Sequence, residues 1–243
     1  ILIIKENEYG ISGKIHAKAR HKPIEEPRFK HNQDSGIFID CTRATQNISW
    51  YGEIKLHDQI IKIDSFKGTR DRSWGLRPIG NKDNKETKHT EAPQFYWIWT
   101  PMNFPNHCIF YHRNDDSLGK SWNCRAVVDN LEENSRLEIT SPKIEIDYKK
   151  NTRRINGLKI KLEDAELEFI PGRVFYMQGL GYTHPEWGHG NNHGKLEVGF
   201  DIIDLDKAES ELAKGLIHNL HIQTLSKIKF KTPEIFITGQ GVI

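Results

Sequence analysis

Apolar and polar residues alternate with a period of two along most of the chain. Ile11, Gly13, Ile15, Ala17 and Ala19 are separated by polar residues, and so are Ile144, Ile146 and Tyr148. Leu158, Ile160 and Leu162 repeat the pattern, as do Leu167 with Phe169, and then Leu196, Val198, Phe200 and Ile202. Successive side chains of a strand point to opposite faces, so this period predicts half-buried antiparallel strands. Turn-forming residues separate the runs, at 32–36, His57-Asp58, 114–119, Asn156-Gly157 and Pro171-Gly172. Asn156-Gly157 is the strongest hairpin signal, because a type I′ turn needs positive φ at both central residues. Helix is scarce, with one candidate at 207–214, where Asp206 can cap and Glu209 follows three residues later. The charged segment 81–91 has no apolar period and reads as a loop.

Many spaced strands with almost no helix define an all-β chain, and predict closed or nearly closed antiparallel barrels, two in tandem. The 114–119 turn is the expected boundary, giving an N-terminal unit 1–116 and a C-terminal unit 117–243. Barrels of this size either fill their interior with side chains or hold one small apolar ligand. The run Gln94-Phe95-Tyr96-Trp97-Ile98-Trp99-Thr100, followed by Phe104, Phe110 and Trp122, favours a ligand cavity, although most of these rings also read as core.

Composition narrows the class further. Charged residues make up 28% of the chain, yet net charge is only +2 with both signs interleaved, which gives no argument for nucleic acid or a membrane surface. The opening Ile1-Leu2-Ile3-Ile4 is too short for a membrane span or a signal core. Three cysteines, Cys41, Cys108 and Cys124, form no CxxC pair and no even set, so a reducing, cytoplasmic setting without a disulfide framework is expected. A chain that starts at Ile1 and stops at Ile243 reads as trimmed at one or both ends, the C-terminal unit included. The sequence leaves the oligomeric state open.

Candidate chemistry lies in two stretches. The first is Thr69-Arg70-Asp71-Arg72-Ser73-Trp74-Gly75, with Arg77 close behind. In an extended chain neither of its faces is apolar, so whichever faces a core carries charge that must be paired or used. Asp71 is the candidate acid or base. Arg70, Arg72 and Arg77 suit an anionic ligand group, since guanidinium binds such groups bidentately. An Asp–Arg latch in the barrel wall is the alternative at even weight. The second stretch, 179–193, holds His184, Glu186, Trp187, His189 and His193 among glycines. Its spacing does not match a helical zinc pair, so acid–base or structural histidines at a cavity mouth are preferred and no metal is assigned. His107 and Glu25 lie in proline-rich connectors, as ligand contacts or supporting groups on one reading and plain loop residues on the other. His16, His21, His31, His57, His89, His112, His218 and His221 are read as ordinary structural or surface residues. No glycine loop for nucleotides and no nucleophile elbow is present, and no cofactor is expected.

Thr42-Arg43-Ala44-Thr45-Gln46-Asn47, the Thr69–Gly75 run, Asn103-Phe104-Pro105-Asn106-His107 and the 181–190 segment together resemble the hydroxyneurosporene synthase-like (carotenoid hydratase-like) proteins, in an uncharacterised bacterial branch. The resemblance covers most of the chain. It implies two tandem lipocalin-like β-barrels around a cavity with apolar and polar walls. It also implies a cofactor-independent hydro-lyase or isomerase acting on a hydrophobic small molecule, or a non-catalytic carrier or sensor of such ligands. Asp71, Trp74 and Gly75 match the family's Asp-His-Asn-Trp-Gly run, while Arg72 replaces its histidine. Where the family has an acidic residue on the next strand, this chain has Trp97-Ile98-Trp99. On this reading Asp71 with Arg72, and His184, Glu186 and His189, carry the chemistry, and Trp74, Trp97, Trp99 and Trp187 line the cavity.

Overall fold

The computed structural model describes residues 1–33, 36–76, 96–116, 118–151, 154–176, 193–199, 202, 204–207 and 222–243. These residues are nearly all β, in two antiparallel sheets. The first sheet holds β1 (Leu2–Ile4), β2 (Ile11–Ala19), β3 (Ile24–Glu25), β4 (Phe29–Gln33), β5 (Gly36–Leu56) and β6 (Gln59–Leu76). Its spine is β5, 21 residues long, with β6 along one edge and β2, β3 and β4 in turn along the other. The strand bends where its register to β6 shifts between Trp50 and Gly52. Gly52 has φ 128, and a Cβ there would lie 2.2 Å from the Lys14 carbonyl, so only glycine fits.

The second sheet holds β7 (Tyr96–Asn103), β8 (His107–Asp115), β9 (Ser121–Asn130), β10 (Ser135–Thr140), β11 (Lys143–Tyr148), β12 (Ile155–Leu162), β13 (Ala165–Tyr176), β14 (Ile222–Lys231) and β15 (Phe236–Val242). Its order is β10-β9-β8-β7-β15-β14-β13-β12-β11. The two edge strands, β10 and β11, are consecutive in sequence and joined only by Ser141 and Pro142, so the sheet must curl until its edges converge at that turn. Beside the turn lies a cleft of about 450 Å³ lined by Arg113, Cys124, Ser141 and Ile144 among others.

The inside of the curl is filled. Ile98, Met102, Ile109, Tyr111, Ala126, Leu158, Ile160, Leu162, Leu167, Phe169, Ile228 and Phe230 form one buried cluster. Among the described residues this cluster packs the inside of the curl apart from the cleft lined by Arg113, Cys124 and Ile144. The outer face of β7, β8 and β9 is buried too, because the first sheet covers it. Phe110, Val127 and Ile24 meet there, with Trp99 packed against them.

Several sequence expectations shift in position. The sheets change between β6 and β7, whereas the 114–119 turn joins two neighbouring strands, β8 and β9, of one sheet. Asn156-Gly157 is not the hairpin turn: it lies inside β12, which opens at Ile155, and a bulge at Asp147/Tyr148 absorbs the offset. Gly157 pairs with Asp147 instead of turning the chain. The alternation at Leu196, Val198 and Ile202 does not form a strand, and those side chains are exposed. Among the described residues no strand pairs with this stretch, and alternation alone does not make a sheet. The 81–91 loop and, beyond Lys207, the 207–214 helix lie outside the described residues.

All three cysteines are free thiols. Cys108 is fully buried, and burial pushes its thiol up to about 11. Iodoacetamide at neutral pH is therefore expected to leave Cys108 unlabelled in the native protein and to label it in urea, as read by peptide mass spectrometry.

Candidate functional site

Polar residues are concentrated between the two sheets, where an apolar layer would be the default. On the outer face of the second sheet, Trp99, His112 and Arg125 stand side by side across β7, β8 and β9, and Trp97, Asn114 and Asn123 form the next row. Facing them from the first sheet are Thr45 and Arg43 of β5 and Glu26. Residues at i and i+2 of a strand share a face, so Glu26 follows Ile24 inward, and its backbone N–H donates to the Arg43 carbonyl at 2.8 Å. Pro27 then stops the pairing.

The groups are tightly held. Trp99 Nε1 donates to Thr45 Oγ1 at 3.0 Å. Arg43 donates from Nε and Nη2 to the same oxygen, Glu26 Oε2, at 3.2 and 2.7 Å, which leaves Oε1 with no partner although the residue is only 1% exposed. The Arg43 guanidinium lies between two rings, 4.9 Å from Trp97 and 5.1 Å from Phe29. Arg125 donates from its two terminal nitrogens to Glu138 Oε2 and the Glu25 carbonyl, and its Nε is buried without a partner.

Burial sets the protonation states. It lifts the Glu26 carboxyl above the ordinary carboxylate value, against the opposing pull of Arg43 and Arg125. His112 is fully buried, and burial holds it down to about 3, with Arg125 and Arg43 adding to the effect and the Asn123 hydrogen bond opposing it. The ring is neutral at physiological pH. Its Nε2 lies 3.1 Å from Asn123 Oδ1, and the Asn123 amide donates at 3.3 Å to Asn114 Oδ1, so the proton sits on Nε2. Nδ1 is then a bare acceptor, buried and without a partner.

A second polar group ties the sheets together further along. His21 Nε2 accepts from the Asn47 backbone N–H at 2.8 Å, which puts its proton on Nδ1, 2.7 Å from Asp129 Oδ2. Arg136 pairs with both Asp129 oxygens at 2.7 and 2.8 Å and donates to the Lys22 carbonyl. Burial would raise Asp129, but the Arg136 and His21 contacts hold it at about 2. Arg20 donates to Asn103 Oδ1 and to the Phe104 and Pro105 carbonyls.

The residues singled out in the sequence divide between these surroundings. Asp71 is paired across the sheet with Thr45, so it is on the face that meets Trp99, and it is exposed. Arg70, Arg72 and Trp74 pair with Gln46, Ala44 and Thr42 and project to the opposite face of the first sheet, also exposed. Gly75 ends the motif with φ 131, and a Cβ there would lie 2.3 Å from the Asp40 carbonyl, which accounts for glycine at that position. Trp97 and Trp99 are both in the inter-sheet layer. His107 is not: it packs against Phe230 at the end of the filled curl, 5.6 Å between rings. Glu25 contributes only its carbonyl, to Arg125, and its neighbour Glu26 is the buried carboxyl. Arg77, His184, Glu186, Trp187 and His189 lie outside the described residues. Among the described residues, no group of three His, Cys, Asp or Glu side chains is placed to hold a metal, and no helix is long and apolar enough to cross a membrane.

Glu26, His112 and Arg125 are the groups that sequence reasoning missed. The signal for Glu26 was its parity with Ile24. His112 had one as well, because it directly follows the apolar run Cys108–Tyr111.

The fold is lipocalin-like. It is shared with kievitone hydratase from Nectria haematococca (TM-score 0.51, 13% identity, 98% of this chain and 61% of that one). It is also shared with an AttH-type protein from Nitrosomonas europaea (TM-score 0.50, 8% identity, 99% of this chain and 63% of that one). This chain therefore spans about three fifths of the length of those proteins. It belongs to a family of unknown function, DUF8625, whose model matches residues 1–243. Among curated proteins, none matches it in sequence.

Proposed function

We propose that this protein binds an apolar small molecule of isoprenoid, steroid or polyketide type and transforms it without a cofactor, as a hydro-lyase or isomerase of the hydroxyneurosporene synthase-like kind. One observation carries this reading. The Trp99 indole is hydrogen-bonded to Thr45, whose cross-strand partner is Asp71, so residues from two separate sequence motifs meet at one inter-sheet layer. Trp97 and Trp99 give that layer apolar walls, and Asp71 stands at its exposed end as acid or base. That a protein sharing the fold is a hydratase supports the chemistry.

A carrier or sensor of the same ligands is the second reading. It is favoured by the exposure of Arg70, Asp71 and Arg72, because a surface clamp tolerates water and a shielded proton donor does not. Native mass spectrometry of protein purified from its own host, followed by extraction, is expected to yield a retained apolar compound. With that compound in hand, Asp71→Asn should reduce turnover by about a hundredfold and leave affinity within about threefold. Unchanged turnover would remove Asp71 from the chemistry, and a compound bound but never converted would leave the carrier.

A further inference from the structure

We propose that Glu26, His112 and Arg125 form a receptor for a hydroxyl group between the two sheets, and that the ligand is an alcohol with an otherwise apolar body. This rests on the small-molecule reading above and adds the chemical class of the ligand's polar end.

Three buried polar atoms on residues of the inter-sheet layer have no hydrogen-bond partner within the protein: Glu26 Oε1, His112 Nδ1 and Arg125 Nε. His112 and Arg125 are direct cross-strand neighbours, and Arg125 lies close enough for its charge to act on both His112 and Glu26. Leaving such atoms unpaired costs about 1–3 kcal/mol each, so three together call for a polar occupant, water in the free protein and a ligand's polar group in the complex. Their chemistry specifies it. Arg125 Nε–H can only donate and His112 Nδ1 can only accept, so a single oxygen that accepts from the first must donate to the second. A hydroxyl does both, and its second lone pair can accept from Glu26 where that carboxyl carries a proton. A carboxylate has no proton for His112, an ether has none either, and a hydrocarbon leaves all three atoms bare. The way in from the surface is aromatic: the Arg43 guanidinium lies between Trp97 and Phe29, and Phe29 meets the half-exposed Trp122 at 5.7 Å. An apolar chain can lie along these rings while its hydroxyl reaches the polar atoms.

The test compares farnesol with its methyl ether and with farnesene, which share a carbon skeleton and differ in the terminal oxygen, through quenching of tryptophan fluorescence. In the wild-type protein farnesol should bind at least about tenfold more tightly than farnesene, with the ether nearer the hydrocarbon. In His112→Phe and in Glu26→Leu the preference for farnesol over farnesene should fall to within about twofold. Equal binding of alcohol and hydrocarbon by the wild type overturns the receptor and leaves apolar binding standing, with solvent as the occupant of the three atoms. A preference that survives His112→Phe overturns it as well. Binding of none of the three overturns the small-molecule reading and the receptor with it. Should either variant fold poorly, ¹⁵N-histidine spectra of the wild type decide: the His112 Nδ1 resonance should move upfield with farnesol and stay in place with farnesene, and no movement with farnesol sinks the proposal.

Discussion

Replacing Asp129 by alanine is expected to destabilise the protein by about 3–5 kcal/mol, measured by urea unfolding, because it strands two cationic or polar partners in a buried layer. The Asp129 side chain is 7% exposed and holds Arg136 through two oxygens while facing the His21 ring. Through these contacts it fixes the 20–23 connector of the first sheet to β9 of the second. Arg136→Ala should cost less, since that side chain is 31% exposed and solvent replaces part of what is lost. The pH dependence has a definite sign. Asp129 sits at about 2 in the folded protein against an ordinary value of 3.8, so the folded form favours the ionised carboxylate. Its contribution is complete above about pH 4 and is lost as the pH falls towards about 2. Asp129→Ala should therefore flatten the stability curve in that window, and an unchanged curve would show that the pair contributes nothing.

The second large effect should come from Phe110→Ala, at about 3–5 kcal/mol by the same measurement. Phe110 is fully buried on the outer face of β8, packed with Ile24 and Val127, edge-on to Trp99 at 6.2 Å and 5.5 Å from the His112 ring. The first sheet, with Ile24 among its contacts, cannot collapse onto the vacated volume without disturbing the Trp99–Thr45 hydrogen bond that spans the two sheets. A cost below about 1 kcal/mol would mean that the sheets slide freely, and the inter-sheet layer would then be no fixed site.

The strands were largely legible, because period two is a local property. Ile11–Ala19 and Leu158–Leu162 are strands as their alternation predicted. What the period cannot tell is how many faces of a strand are covered. In β8 nearly every residue is buried on both faces, one against the filled curl and one against the first sheet, so His112 and Asn114 had no exposed face on which to lie. A default reading of histidine as structural therefore passed over a neutral, buried base. The error of one position between Glu25 and Glu26 has the same root. Only the pairing of Ile24 with Thr45 decides which of the two carboxyls enters the layer. The charged motif at 69–75 was legible as an anomaly, and its glycine is now explained by backbone geometry. Its division into Asp71 on one face and Arg70, Arg72 and Trp74 on the other follows from alternation, as the sequence implied.

The long spine strand carries a consequence for how this gene can change over generations. Arg43, Thr45 and Asn47 of β5 all contact the second sheet from one side, through Trp97, through Trp99, and through the Met102 carbonyl. Deleting or inserting one codon among them would reverse the side of every residue beyond it and sever these links together. Natural variants should accumulate single replacements along β5 freely at its exposed positions, while changes in length should be confined to the turns at either end.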